Sequence, residues 1–271
     1  MKKEVGILND FLPHQKKGQV TIFIIIAVLI IAIIAVFYFL RPSSTTTSEF
    51  DAENPGRFIQ TCLEDKIERT IESVSLQGGS MMPENFISYQ GEKIEYLCYT
   101  TEYYKTCVVQ EPMLERHIES EITKEITSEV TNCFNELKSN YESRGYNVNL
   151  QQGQTKVDLL PKRIVTSFTH VLTTAKTETE RHDAFKVVVN NNLYELVSIA
   201  NSIIDFESEF GDADPGFYMS IYPDLKVEKL NQQDGSTIYI LTDRNNGKTF
   251  QFASRSVAWP PGLGVGGVAT N

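Results

Sequence analysis

Tryptophan occurs once in this 271-residue chain, histidine four times and cysteine four times, and positive charge is thin outside the N-terminal stretch. Each scarcity excludes something. Residues 1–41 hold five Lys/Arg against two acids, which leaves 20 against 33 for residues 42–271, a net of −13. A surface this acidic repels phosphate backbones, which are gripped through clustered Lys/Arg, so nucleic acid is not an expected partner. No serine stands in a G-x-S-x-G elbow, and neither a P-loop nor a dinucleotide glycine fingerprint occurs. No compact motif therefore marks a catalytic residue or a cofactor site. The cysteines lack the paired C-x-x-C knuckles of a zinc ribbon, and no N-x-S/T sequon occurs. Hydrophobic residues are not scarce: at 41%, with 22% charged, the composition belongs to a folding chain rather than a disordered one.

One hydrophobic run is long. Residues 20–40, VTIFIIIAVLIIAIIAVFYFL, carry no charge. At about 1.5 Å per residue such a helix reaches the roughly 30 Å hydrocarbon core of a bilayer. Its Ile, Leu, Val and Phe residues favour insertion by about 6 kcal/mol. The pattern predicts one transmembrane helix. Lys2, Lys3, Lys16 and Lys17 precede it, and Arg41 follows alone before Glu49, Asp51 and Glu53. That asymmetry predicts a cytoplasmic N-terminus and an extracytoplasmic C-terminal domain at the cell membrane. Small residues at an A-x-A cleavage site are missing after Leu40, so the helix is expected to persist.

The junction Lys16-Lys17-Gly18-Gln19-Val20, a basic pair and a glycine before an unbroken apolar stretch, resembles the class III signal peptide of archaeal type IV pilin-like proteins. The resemblance implies a prepilin-type peptidase as a partner and cleavage between Gly18 and Gln19. Many pilins carry Glu at the fifth mature position, where this chain has Phe23, and that departure weighs against filament assembly.

Beyond the span, residues 41–55 are Ser/Thr-rich and read as a stalk. Residues 56–145 read as the helical part of an ectodomain. Phe58, Ile59, Cys62, Leu63, Ile67, Ile71 and Val74 recur at helical spacing before Gly78-Gly79. Leu114, Ile118, Ile122, Ile126, Val130, Phe134, Leu137 and Tyr141 mark a second helix of about 30 residues. The stretch between them reads as irregular or hairpin. Residues 146–258 read as β-rich: strands at 146–150, 155–160, 163–173 and 185–190, a third helix at 192–210, then a strand meander with turns at Asp234-Gly235 and Asn246-Gly247. Residues 259–271 form a Pro/Gly-rich tail. The fold class expected is α+β: one transmembrane helix, then an extracytoplasmic domain of about three helices and a largely antiparallel sheet. This ectodomain pattern also resembles uncharacterised surface proteins of small-genome archaea, a likeness that brings no activity with it.

Four cysteines outside the cell favour two disulfides. Three connectivities are open, as are buried free thiols. Cys98–Cys107 closing a short loop and Cys62–Cys133 tying the two helices together are preferred, because Cys62 and Cys133 lie near apolar stripes.

Candidate chemistry is sparse. His117 and Glu121 stand one helical turn apart and could ligate a metal, but a solvated helix face explains them better. His170 alternates with Phe168 and Leu172 and reads as a core or edge residue. Arg181-His182-Asp183 reads as a polar loop. Asp212 and Asp214 alternate as in a calcium loop, yet the pattern then lacks its central Gly, and its twelfth position is Pro223. Trp259 reads as the cover of a core edge or as a partner contact. Two functions remain: a membrane-anchored cell-surface structural or protein-interaction protein, and a membrane-tethered extracytoplasmic enzyme with a site assembled from scattered residues. The missing motifs favour the first. Its expected partners are the lipid bilayer through residues 20–40, other envelope or surface proteins, and the prepilin-type peptidase.

Overall fold

The computed structural model describes residues 24–31 and 51–260. The chain divides into two units, Met1–Thr47 and Ser48–Asn271. In the first, residues 24–31 form helix α1 with exposed isoleucines. The transmembrane helix expected over residues 20–40 is corrected here. Among the described residues no helix is long and apolar enough to cross a membrane. The described part of α1, residues 24–31, covers about 12 Å against about 30 Å of hydrocarbon, and residues 20–23 and 32–40 lie outside the described residues.

The second unit begins with helix α2 (Pro55–Leu76). Asn54 caps it by accepting the Arg57 N–H at 3.2 Å, and proline sits where its missing N–H costs nothing. The helix ends where Gly78 and Gly79 take positive φ and the Gly79 N–H returns to the Val74 carbonyl at 2.8 Å. Gly78 also lets strand β2 approach: a Cβ there would lie 2.8 Å from the Glu95 Cβ. After strands β1 (Phe86–Tyr89), β2 (Glu92–Tyr99) and β3 (Val108–Val109) comes helix α3 (Leu114–Ser143). Its stripe from Leu114 to Tyr141 is buried throughout. Helices α2 and α3 pack antiparallel, with Cys62 bonded to Cys133 and the Tyr141 hydroxyl donating to the Ala52 carbonyl at 2.7 Å.

Strands β4 (Asn147–Gln151), β5 (Thr155–Leu160), β6 (Arg163–Phe168), β7 (Val171–Ala175), β8 (Thr179–His182) and β9 (Phe185–Asn190) follow. They form two three-stranded antiparallel sheets, β4-β7-β8 and β5-β6-β9. In sequence these are two halves of one meander, broken where the chain passes Gly153 and Thr169-His170. The break is tight: a Cβ on Gly153 would sit 2.3 Å from the Thr169 carbonyl carbon, so only glycine fits. The single strand expected over 163–173 is thus two. Arg181 and His182 lie in β8 and not in the loop expected.

Helices α4 (Leu193–Glu209) and α5 (Pro215–Ile221) precede strands β10 (Leu225–Asn231), β11 (Thr237–Asp243) and β12 (Thr249–Arg255). Their sheet has the order β1-β2-β12-β11-β10, with β3 also on β2. All its pairs are antiparallel except β12 with β2, which run parallel with Ala253 opposite Tyr96 and Arg255 opposite Tyr99. The sheet is therefore mixed and joins strands from the helical and the β-rich segments. The expected architecture is corrected on this point too: five helices occur among the described residues, and the sheets are three. Helix α2 packs on both β9 and β12, α3 on β4 and β5, and α4 on β11 and β12, so the helices share one core with all three sheets.

Candidate functional site

Three groupings of side chains merit a functional reading. The first is polar. The turn after α2 delivers Ser80, β2 delivers Glu95, and the first turns of α3 deliver His117 and Glu121. The Ser80 hydroxyl donates to the Glu95 carboxylate and lies 2.7 Å from His117 Nε2. His117 Nδ1 stands 3.6 Å from Glu111 Oε2. Glu121 accepts the Met81 N–H at 3.1 Å and pairs with Lys124 at 2.8 Å. Burial pushes the Glu95 carboxyl above its ordinary range, against the pull of Ser80 and His117, with Glu111 and Glu121 pushing the same way as burial.

Serine, imidazole and carboxylate are the types an acyl-transfer site uses, but the arrangement is closed. A hydroxyl has one proton; while Ser80 gives it to Glu95, His117 must donate to Ser80 and cannot act as its base. Ser80 is 5% exposed, so a substrate has no approach to it. The cluster works as a polar tie between α2, β2 and α3. Sequence reasoning missed it because Ser80 is 15 and 37 residues from its partners. No group of three or more His, Cys, Asp or Glu suited to a metal occurs among the described residues.

The second grouping is apolar. Helix α4 buries Leu193, Leu196, Val197, Ala200, Ile203 and Ile204, and on its outer side the Phe206 and Phe210 rings pack tilted with centroids 4.8 Å apart. Helix α5 starts with Asp214 accepting the Gly216 N–H at 2.8 Å and Pro215 in the first turn. Tyr218 anchors it, its hydroxyl 3.3 Å from Ser202 Oγ. What α5 leaves outside is Phe217, Ile221 and Tyr222, and Phe210 and Phe217 are 62% and 59% exposed. Between the two helices lies a cavity of about 300 Å³ lined by Tyr194, Ile199, Ser202, Phe217, Ile221 and Tyr222. The Asp214-Pro215 pair is a helix-start signal, and α5 stands where the strand meander is expected.

The third is the buried carboxylate of Glu207 on the inner side of α4. It accepts from the Tyr239 hydroxyl, from the Ala213 N–H at 2.9 Å and from Ser254 Oγ at 3.1 Å. Burial raises its pKa above the usual carboxylate value despite these hydrogen bonds and the nearby Lys229.

The remaining residues singled out in the sequence are dispersed. Cys62 pairs with Cys133, and Cys98 with Cys107. Gly18 and Gln19 lie outside the described residues. Asp212 pairs with Lys229, while Asp214 caps α5. His182 lies 3.5 Å from Glu180. His170 is buried, stacked flat on Phe134 at 4.1 Å, with Nδ1 lacking a partner. Burial alone lowers its pKa below 6.5. The sign follows: the unfolded chain takes up the proton first, so stability is complete above the ordinary value and falls as the solution is acidified through it. His170→Phe is expected to remove that slope and to raise stability by about 1 kcal/mol at neutral pH, because it deletes an unsatisfied buried nitrogen. Urea unfolding of both proteins across pH 5–8, the range in which histidine titrates, measures it.

Comparison with protein-family models, with curated proteins and with solved structures finds no match to this chain.

Proposed function

We propose that this chain is an extracytoplasmic structural or protein-interaction protein of the cell surface, and that another envelope or surface protein docks on the outer side of α4 and α5. The observation that carries the reading is the exposed Phe217, Ile221 and Tyr222 around a mostly apolar cavity, together with the exposed Phe210 at the end of α4. Apolar patches of this kind on a water-facing surface mark interaction sites, and burying each such side chain contributes about 1.5–3 kcal/mol. Two disulfides support an oxidising compartment, since reducing ones keep thiols free. Processing after Gly18 belongs to the same proposal and rests on the junction at residues 16–20.

The test is a photo-crosslinking amino acid placed at position 217 in the native host. A discrete protein adduct is expected, and it is expected to vanish when Ile221→Asp and Phe210→Asp are added. No adduct, or one indifferent to those changes, overturns the docking face. Intact mass of the native protein reports whether residues 1–18 have been removed.

A further inference from the structure

Trp259 is the only tryptophan of the chain and is 51% exposed. It stands at the lip of a cavity of about 490 Å³, inside the roughly 300–1,000 Å³ range of small-ligand sites. Its position is held at some cost. Tyr104 packs edge-on against it at 5.0 Å, and the Tyr104 N–H donates to the Ala258 carbonyl at 3.0 Å. Tyr104 and Val257 both adopt positive φ, 58° and 46°, a conformation that strains non-glycine residues and concentrates at functional sites. Two glycines admit the segment: a Cβ on Gly211 would lie 2.1 Å from Val257 Cγ2, and one on Gly235 would lie 2.6 Å from Ala258 Cβ. The segment is thus fitted into the fold while its indole is turned outward.

Apart from Val257, Ala258, Pro260 and two glycines, the rest of the lining is polar. It includes Asp212, Asn231, Gln233, Ser236, Thr237 and Ser256. Asn231 accepts from Thr237 at 3.2 Å through Oδ1. Among the described residues, neither its amide nitrogen nor the side-chain amide of Gln233 bonds to a protein group, and both residues are exposed, which leaves these amides open to a ligand from solvent. The nearby cations are engaged: Lys229 with Asp212 and the Ala213 carbonyl, Arg255 with the carbonyls of Asp234 and Thr100.

We propose that this cavity binds a neutral saccharide. A pyranose ring presents an apolar C–H side, which suits an exposed indole, and a rim of hydroxyls that both donate and accept. Planar amides and carboxylates, such as those of Asn231, Gln233 and Asp212, answer such hydroxyls in pairs. An anion is disfavoured because the lining carboxylate of Asp212 is present and, among the described residues, the nearby Lys229 and Arg255 are already engaged. The assignment does not depend on the apolar side of α4 and α5, so the two readings fail separately.

The sole tryptophan makes the test direct. Full-length protein is titrated with maltotriose, cellotriose, a mannose trisaccharide and chitotriose, each up to about 10 mM, while indole emission is followed. A saturable change with at least one sugar is expected. In the double variant Asn231→Ala/Gln233→Ala, with unchanged circular dichroism and melting, binding is expected to weaken at least about tenfold. Trp259→Ala, read by calorimetry, is expected to abolish it. Silence with all four sugars overturns the proposal, as does binding that the double variant leaves intact. A response to a proline-rich peptide with none to sugars overturns it in favour of a peptide site.

Discussion

Loss of both disulfides is expected to lower the melting temperature of the Ser48–Asn271 unit by about 15–25 °C. The two bonds act unequally. Cys62–Cys133 closes 71 residues and Cys98–Cys107 closes nine. In the chain-entropy account the longer loop contributes about 4 kcal/mol and the shorter about 2–3 kcal/mol. Together they rival the 5–15 kcal/mol that typically separates folded from unfolded states, and in a domain of this size each kcal/mol moves the midpoint by about 2–4 °C. Both cysteines of the short loop are buried, so added reductant reaches them slowly and mutants are the cleaner instrument. Alanine is preferable to serine, because a buried hydroxyl carries its own desolvation cost. The Cys62→Ala/Cys133→Ala protein should melt below the Cys98→Ala/Cys107→Ala protein by calorimetry. Equal melting of the two would contradict the loop-length argument.

Glu207→Ala is expected to cost about 3–5 kcal/mol. The side chain is 2% exposed and gathers three donors from different parts of the chain. Removing it strands Tyr239, Ser254 and the Ala213 N–H together. Glu207→Gln behaves differently, since one amide oxygen can accept from both Tyr239 and Ala213 while the amide nitrogen donates to Ser254. Because the folded pKa is raised, the native state holds its proton while the unfolded chain has already lost it. Stability from this group is present below the ordinary value of 4.5 and declines as pH rises through the raised one. The glutamine variant lacks that decline, so its stability advantage over wild type should grow from acid toward neutral pH. Denaturant titrations at a series of pH values test both variants, and a constant difference would remove the buried-carboxyl explanation.

Local pattern made part of this architecture legible. The fourfold spacing from Leu114 to Tyr141 marks α3 because only a helix places all eight side chains on one stripe, and they are buried together. Gly78-Gly79 marks the end of α2 because the chain must reverse its handedness there. Asp234-Gly235 and Asn246-Gly247 mark the turns that join β10, β11 and β12. What depends on distant partners was hidden. Nothing local tells β2 to pair parallel with β12, and β8 is made by pairing with β7 despite its polar residues. Phe206 is apolar and lies within the third helix expected over 192–210, yet it stands at the surface, which local periodicity alone does not decide. The long apolar run at 20–40 predicts a membrane-spanning helix, whereas among the described residues no helix is long and apolar enough to cross a membrane. The Ser80–Glu95–His117 tie and the Glu207 cluster both join residues that only tertiary structure brings within reach.

The parallel pairing of β2 with β12 has a consequence for biosynthesis. The two strands are about 150 residues apart, and at about 5–20 residues per second the ribosome separates their appearance by roughly 10–30 s. Until the last strand emerges, β2 offers an open edge on the nascent chain. The β1 hairpin covers only the opposite edge of β2, so the edge that awaits β12 must be kept from neighbours by some other cover during translation.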